Sequence, residues 1–202
     1  VDDSIKLYGN RESGHAYKVR LMLNVAGLPH EFEEVDIFGP HEARPAPFRE
    51  LAPFGEVPLL VHAGQPYAQS NAILLHLAAH SGALDGEVAG RSARVREWLF
   101  WEANRIGFSL PNLRYCLRFA PAAPAVTEML RARVDADLAR LEHELGDGRD
   151  FILGRTPTVA DLSLCAYLFW ADQAQVALPP QVQGWLGRIA ALPGWRHPDD
   201  FY

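Results

Sequence analysis

Gln69-Ser70-Asn71 opens a segment that reads as a helix, and the residues before it give that opening a use. Helix openings expose unpaired N–H groups and favour negative charge, so Ser70 and Asn71 stand at a ready carboxylate site. Upstream, the run Gly55-Glu56-Val57-Pro58-Leu59-Leu60-Val61 puts a Val-Pro corner at the start of an apolar strand. A turn at Ala63-Gly64 then returns the chain through Pro66-Tyr67-Ala68 to Gln69. Folded back beside Val57, the new helix sets an anion pocket next to a backbone edge that can hydrogen-bond an extended peptide. Such a pair suits a small acidic peptide. Singly, Pro58 reads as a turn residue and Ser70 as a plain N-cap; their order and spacing carry the functional sense.

The elements that must position these residues change character near residue 81. Ile5-Lys6-Leu7-Tyr8 is a short strand pattern stopped by Gly9-Asn10. Over 14–26, Val19, Met22, Leu23 and Ala26 fall at helical spacing, and Gly27 and Pro29 end that helix. A second strand is predicted over 31–37, with Val35 and Ile37 on one face and Phe32 out of step. A Pro-rich loop with a helical turn over 48–51 follows, then a hairpin over 59–61 and 65–68. Residues 70–80 form a helix with Ile73, Leu74 and Leu77 inward. The order is βαβ, then ββα.

Residues 81–90 hold three glycines and no helical pattern, which predicts a linker between a domain over 1–80 and another over 91–202. The second half shows no convincing strand. Residues 91–119 are helical with a break predicted near Pro111. Val126, Met129, Leu130, Val134, Leu138, Leu141 and Leu145 keep a 3-4 spacing, the mark of an amphipathic helix, ended by Gly146-Asp147-Gly148. The stretch 159–171 is apolar nearly all round and so is expected to be buried. A last helix is predicted over 181–192.

Bulk composition narrows the classes. The 202 residues are 49% hydrophobic and 22% charged, as in an ordinary soluble globular protein of one large or two small domains. A net charge of −6 argues against a broad phosphate-binding surface, so no nucleic-acid partner is expected. Cys116 and Cys165 show neither metal-type spacing nor a C-x-x-C pair, so neither a metal nor a disulfide framework is expected and a reducing cytoplasm is the default. The first residues, Val-Asp-Asp-Ser, lack a basic and apolar signal segment. No apolar run is long enough for a membrane span.

The βαβ-ββα order, the Val57-Pro58 corner, Gln69-Ser70 and the helical second half together resemble the glutathione transferases over essentially the whole chain. The resemblance implies a thioredoxin-like α/β domain followed by an all-α domain that lines an acceptor site. In that family the Pro of the Val-Pro pair is cis, and the residue before it pairs by backbone with the cysteinyl part of glutathione. Carried over, Val57 and Pro58 hold the cysteinyl unit, and Gln69 and Ser70 hold the γ-glutamyl end. Arg44 meets the glycyl carboxylate, with His41 as the neighbouring option; both also suit a solvated loop. Glu56 stands where many relatives carry Lys or Gln, which removes a cationic contact. Thr158-Val159-Ala160-Asp161 resembles the family's capping box at the start of its buried core helix, a folding device.

Transferases of this fold place a Tyr, Ser or Cys between the first strand and first helix, facing the glutathione sulfur. Ser13 is the candidate here, assisted by the Gly14 and His15 amides; Tyr8 ends the strand and Tyr17 lies a turn inside the helix. The thiolate is the reactive form, and a hydroxyl at a helix N-terminus stabilises it by hydrogen bond and by dipole. Two roles stand for Ser13, thiol activation and helix capping. Two also stand for the His15 side chain, donation to the thiolate and exposure to solvent. No Cys occurs in the loop, which weighs against the disulfide-exchange branch of the family. Along 98–118, Trp101, Arg105, Phe108 and Tyr115 are candidates for the acceptor pocket; the aromatics also suit core or dimer contacts.

The resemblance thus implies a cytoplasmic homodimer in detoxification, with glutathione as co-substrate and a hydrophobic electrophile as acceptor. Glutathione-dependent isomerisation, dehalogenation and peroxide reduction use the same scaffold. So do members that lack catalysis and act as protein-interaction modules.

Overall fold

The computed structural model describes residues 3–84 and 92–201. Residues 85–91, most of the expected linker, lie outside the described residues. The chain divides into two compact units, one of residues 1–83 with 193–202 and one of residues 84–192.

The first unit is built on a four-stranded sheet in the order β2-β1-β3-β4, formed by β1 (Ile5–Gly9), β2 (Glu31–Glu34), β3 (Leu59–His62) and β4 (Gln65–Ala68). Strand β2 runs parallel to β1, whereas β3 is antiparallel to both β1 and β4. Helix α1 (Gly14–Val25) makes the β1–β2 crossover, α2 (Ala46–Leu51) precedes β3, and α3 (Ser70–Ser81) follows β4. Ala63 and Gly64 join the hairpin with φ of 51° and 76°. Positive φ at both central residues is the type I′ turn, whose twist matches the flanking strands.

Register decides where the loops gather. Tyr8 pairs with Leu59, and Leu59 pairs with Ala68. The exit of β1, the entry of β3 and the exit of β4 therefore share one end of the sheet. The exit of β2 joins them, because Gly9 pairs with Glu34 in the parallel ladder. Beneath this end lies a cluster of Tyr8, Val35, Phe48 and Leu59, all buried.

Strand β2 stops three residues short of the predicted end. The Val35 N–H still donates to the Gly9 carbonyl at 2.7 Å, but the Val35 carbonyl accepts from the Asn10 side chain at 2.8 Å. A side chain thus replaces the next ladder bond and turns the chain away.

Residues 193–202, expected within the helical half, pack on the first unit instead. The Tyr17 hydroxyl donates to the Arg196 carbonyl at 2.9 Å, and the Phe201 ring meets Tyr17 edge-on at 5.7 Å. Gly194, at φ 81°, lets the tail approach α1 so closely that a Cβ there would lie 2.6 Å from the Asn24 carbonyl oxygen.

The second unit holds α4 (Ser92–Asn104), α5 (Ile106–Arg118), α6 (Pro124–Leu145), α7 (Val159–Cys165) and α8 (Pro180–Ala190). Among its described residues there is no strand, only an isolated bridge between Phe151 and Gly154. The predicted break near Pro111 falls at Arg105 instead, and Pro111 sits inside α5. Arg105 leaves helical geometry at φ −116°, ψ −107°. At this corner the buried Glu102 folds over Gly107, where a Cβ would lie 2.1 Å from its Oε1.

The apolar stretch 159–171 is buried as expected except for the half-buried Phe169, but only its first part is α-helix; 3₁₀ turns follow at Leu168–Trp170 and Asp172–Ala174. A run apolar on every side carries no period that separates 3.6 from 3.0 residues per turn. Its start is the expected capping box. The Thr158 hydroxyl accepts from the Ala160 N–H at 3.2 Å, and the Asp161 carboxylate accepts from the Thr158 N–H at 2.8 Å. Asp161 also accepts from Ile152 N–H at 2.8 Å and Trp185 Nε1 at 2.9 Å. Burial pushes the Asp161 carboxyl above its ordinary value, and these donors pull the other way. The thioredoxin-like α/β unit followed by a mostly helical unit is the architecture the sequence predicts.

Candidate functional site

The shared end of the sheet is assembled from four short pieces of the first unit. Asn10 shapes the first. Its Oδ1 accepts from the Glu12 N–H at 2.9 Å and its carbonyl accepts from the Ser13 N–H at 3.0 Å. Ser13 then caps α1, its hydroxyl accepting from the Ala16 N–H at 3.2 Å. That bond uses a lone pair and leaves the hydroxyl proton for another acceptor. Ser13 is buried and His15, one residue into the helix, is half-buried. Beside the loop, Arg11 grips Glu34 with two bonds of 2.9 Å and holds its carboxyl below the usual carboxylate range.

Both tyrosines near this loop are engaged elsewhere. Tyr8 is 3% exposed, with its ring 5.8 Å from Phe48. Tyr17 is tied to the tail through Arg196.

The second piece is the Val-Pro corner. The Val57-Pro58 peptide is cis, and Pro58 is buried. Among the described residues, neither the N–H nor the C=O of Val57 has a hydrogen-bonded partner. The loop before it is braced by Arg44, whose Nη1 donates to the Gly55 carbonyl at 2.6 Å. His41 borders the same glycine, 3.2 Å from where a Cβ on Gly55 would stand. Arg44 and His41, the two candidates for one ligand group, therefore frame one loop.

The opening of α3 is the third piece. Gln69 precedes it at φ 66°, ψ 110°, a left-handed-side conformation that non-glycine residues seldom adopt. Its side chain gives the helix no cap and instead donates to Glu56 Oε2 at 3.3 Å. The Ser70 hydroxyl has no hydrogen-bonded partner among the described residues. The helix thus presents bare donors where a carboxylate would satisfy them.

Lys18 is the fourth piece, and nothing in its residue spacing marks it. It lies one turn into α1, fully buried, and its Nζ donates to Asn71 Oδ1 at 2.9 Å. This bond ties the first turn of α3 to α1. A lysine at a position helically spaced toward the core looks like a solvated residue until its acceptor is found. Asn10 likewise looks in sequence like a strand stop and no more.

In the second unit, the Arg105 guanidinium is ion-paired through Nε with Asp137 Oδ1 at 2.7 Å. Asp137 is fully buried and also accepts from the Ser109 hydroxyl at 3.1 Å. Trp101 is half-buried against Trp98, 5.3 Å between ring centroids. Phe108 and Tyr115 are each 45% exposed; Arg133 lies 5.3 Å from the Phe108 ring, and Phe119 lies 5.7 Å from the Tyr115 ring.

Comparison with known proteins bears on the fold and the family. Residues 13–80 match the family Glutathione S-transferase, N-terminal domain, and residues 124–196 match Glutathione S-transferase, C-terminal domain. A solved glutathione S-transferase from Xanthobacter autotrophicus Py2 is 33% identical, covers 98% of this chain and 100% of its own, and superposes with a TM-score of 0.86. The theta class glutathione S-transferase of Xanthomonas axonopodis pv. citri, solved with glutathione bound, shares the fold at 24% identity, with a TM-score of 0.83 and 95% of each chain covered. Among curated proteins, the disulfide-bond oxidoreductase YfcG of Escherichia coli is 27% identical over 89% of this chain and 87% of its own length. With both of its halves matched and a 33% identical relative along its whole length, the chain belongs to the glutathione S-transferase family.

Proposed function

We propose that this protein is a cytoplasmic, homodimeric glutathione transferase that ionises the glutathione thiol for attack on a hydrophobic electrophile. The observation that carries this is the shared sheet end, where an unpaired Val57 backbone, an uncapped α3 opening and the Ser13 hydroxyl converge by register. The cysteinyl amide pairs with Val57 in extended form. The γ-glutamyl carboxylate meets the Ser70 N–H and hydroxyl, with Gln69 beside it. Arg44 and His41 border the glycyl end.

A thiol with a pKa of roughly 8.5 is only a few per cent ionised near neutral pH. Ser13 donates its free proton to the sulfur, and the α1 N-terminus adds its dipole. The thiolate then forms the new carbon–sulfur bond as the leaving group departs with its electron pair. Trp101, Phe108 and Tyr115 remain candidates for the acceptor surface; Arg105, bound to Asp137, serves first to hold α5 to α6.

The test is Ser13→Ala assayed with an aryl halide electrophile. We expect kcat/KM to fall by roughly tenfold or more while glutathione affinity stays nearly constant. Unchanged turnover would remove Ser13 from thiol activation.

The similarity to YfcG favours a second reaction on the same site, reduction of a disulfide substrate. One glutathione thiolate would break the substrate S–S bond and form a mixed disulfide, and a second would release it as oxidised glutathione. No protein cysteine is required; Cys165 is buried and Cys116 half-buried in the helical unit. Parallel assays with an aryl halide and a small disulfide separate the two reactions. A chain that fails to bind glutathione at all would instead be an interaction module.

A further inference from the structure

The opposite end of the sheet carries a different chemistry. His62 closes β3, about 10 Å along the strand from Leu59. His76 and His80 stand four residues apart on α3, one above the other on the same face, and His80 lies about 15 Å along the axis from Ser70. Asp3 precedes β1, and the Ala63 N–H donating to the Ser4 carbonyl at 3.0 Å fixes that segment beside the hairpin.

These side chains converge. His62 Nε2 lies 3.0 Å from Asp3 Oδ1, and His80 Nε2 lies 3.7 Å from Asp3 Oδ2. The ring centroids of His62 and His80 are 4.4 Å apart. One ligating atom from each of Asp3, His62 and His80 falls within 4.8 Å of the others. Two donors bound to a tetrahedral ion at roughly 2.0–2.1 Å stand about 3.3 Å apart, so the cluster is close to ligating dimensions. His62 is buried and supplies a fixed ligand, while the exposed side chains of Asp3 and His80 have room to close on the ion.

The surroundings of His62 complete the pattern. A histidine that coordinates through Nε2 carries its proton on Nδ1 and needs an acceptor there. His62 Nδ1 faces His76 Nε2 at 2.8 Å. The His76 ring is in turn held flat against Tyr67, with centroids 3.9 Å apart.

We infer that Asp3, His62 and His80 bind a first-row transition-metal dication of the zinc type, with His76 as the positioning residue that holds His62 in its coordinating tautomer. Two imidazoles and one carboxylate favour such ions over magnesium or calcium, which take all-oxygen shells. Three protein ligands leave one coordination position for water. Bound there, the ion clamps the start of β1 to the hairpin and to the last turns of α3. Its effect is on stability, since the ligands sit at the far end of the sheet from Ser13 and Ser70.

The experiment uses the full chain without an affinity tag, stripped of metal and titrated with Zn²⁺ by calorimetry. One ion binds per chain, and the melting temperature rises with it. His80→Ala and Asp3→Asn, both at exposed side chains, each weaken binding by about tenfold or more and abolish the thermal shift. His76→Leu also weakens binding by about tenfold, while the Co²⁺-substituted absorption spectrum keeps its shape because the ligands are unchanged. Turnover of the metal-free variants matches that of the parent. Absence of stoichiometric Zn²⁺ binding, affinity unchanged in both His80→Ala and Asp3→Asn, or equal affinity for Mg²⁺ would each overturn the assignment.

Discussion

Two helix openings in this protein are built in opposite ways. At α7, Thr158 and Asp161 satisfy one another, and Asp161 collects Ile152 and Trp185 as well, so the opening is closed by the chain itself. At α3, Gln69 turns its side chain away to Glu56 and leaves the first turn uncapped. Both begin with the same short supply of acceptors for their first N–H groups. A closed opening serves folding, while one left bare invites an anion from outside.

The comparison breaks hardest at Asp161. Asp161→Ala strands four buried donors, from Ile152, Trp185 and two positions of Thr158, and should cost about 3–5 kcal/mol in urea unfolding. A loss below about 1 kcal/mol would show that the box is ornamental.

The matching change at the open helix is Ser70→Ala. It should weaken glutathione binding by roughly tenfold or more, the scale of one hydrogen bond to a charged group, and shift stability by less than about 0.5 kcal/mol. Gln69→Gly sharpens the contrast further. Glycine accepts the φ of 66°, so stability should hold or rise while affinity falls. If either variant lowers stability by more than about 1 kcal/mol without touching affinity, the open helix is structural after all.

Ser13 lies between the two extremes, since it caps α1 and is also the proposed thiol donor. Beyond the kinetic loss proposed above, Ser13→Ala should destabilise the fold by about 1 kcal/mol, read from the urea midpoint.

The smallest effect concerns pH. Glu34 titrates below its ordinary value because of Arg11, so it stabilises the folded state above that ordinary value and loses the contribution as the medium is acidified through the lowered one. Arg11 and Glu34 are 58% and 34% exposed, so Arg11→Gln should flatten the acid limb of the stability curve by less than about 1 kcal/mol.

Local signals were legible from the chain, and long-range ones were not. Val57-Pro58, Gln69-Ser70 and Thr158–Asp161 act over a few residues, so their spacing exposed the hairpin corner and both helix openings. The break at Arg105 is an exception on the local side: Pro111 is a visible signal, whereas the packing of Glu102 over Gly107 leaves no mark in residue spacing. The packing of the tail on the first unit is invisible in sequence because the Tyr17–Arg196 bond spans most of the chain. The histidine cluster is hidden for a similar reason: Asp3 lies far from His62 and His80 in sequence, so the full set shows no ligand spacing.

The return of residues 193–202 to α1 has a topological consequence. The helical unit is an insertion held at both of its ends, not an appendage. A single proteolytic nick ahead of the helical unit leaves that unit covalently joined only to residues 193–202, which then hold residues 1–83 by noncovalent contact alone. Expressing residues 1–83 alone would strip Tyr17 of its acceptor and uncover the helix that carries Ser13.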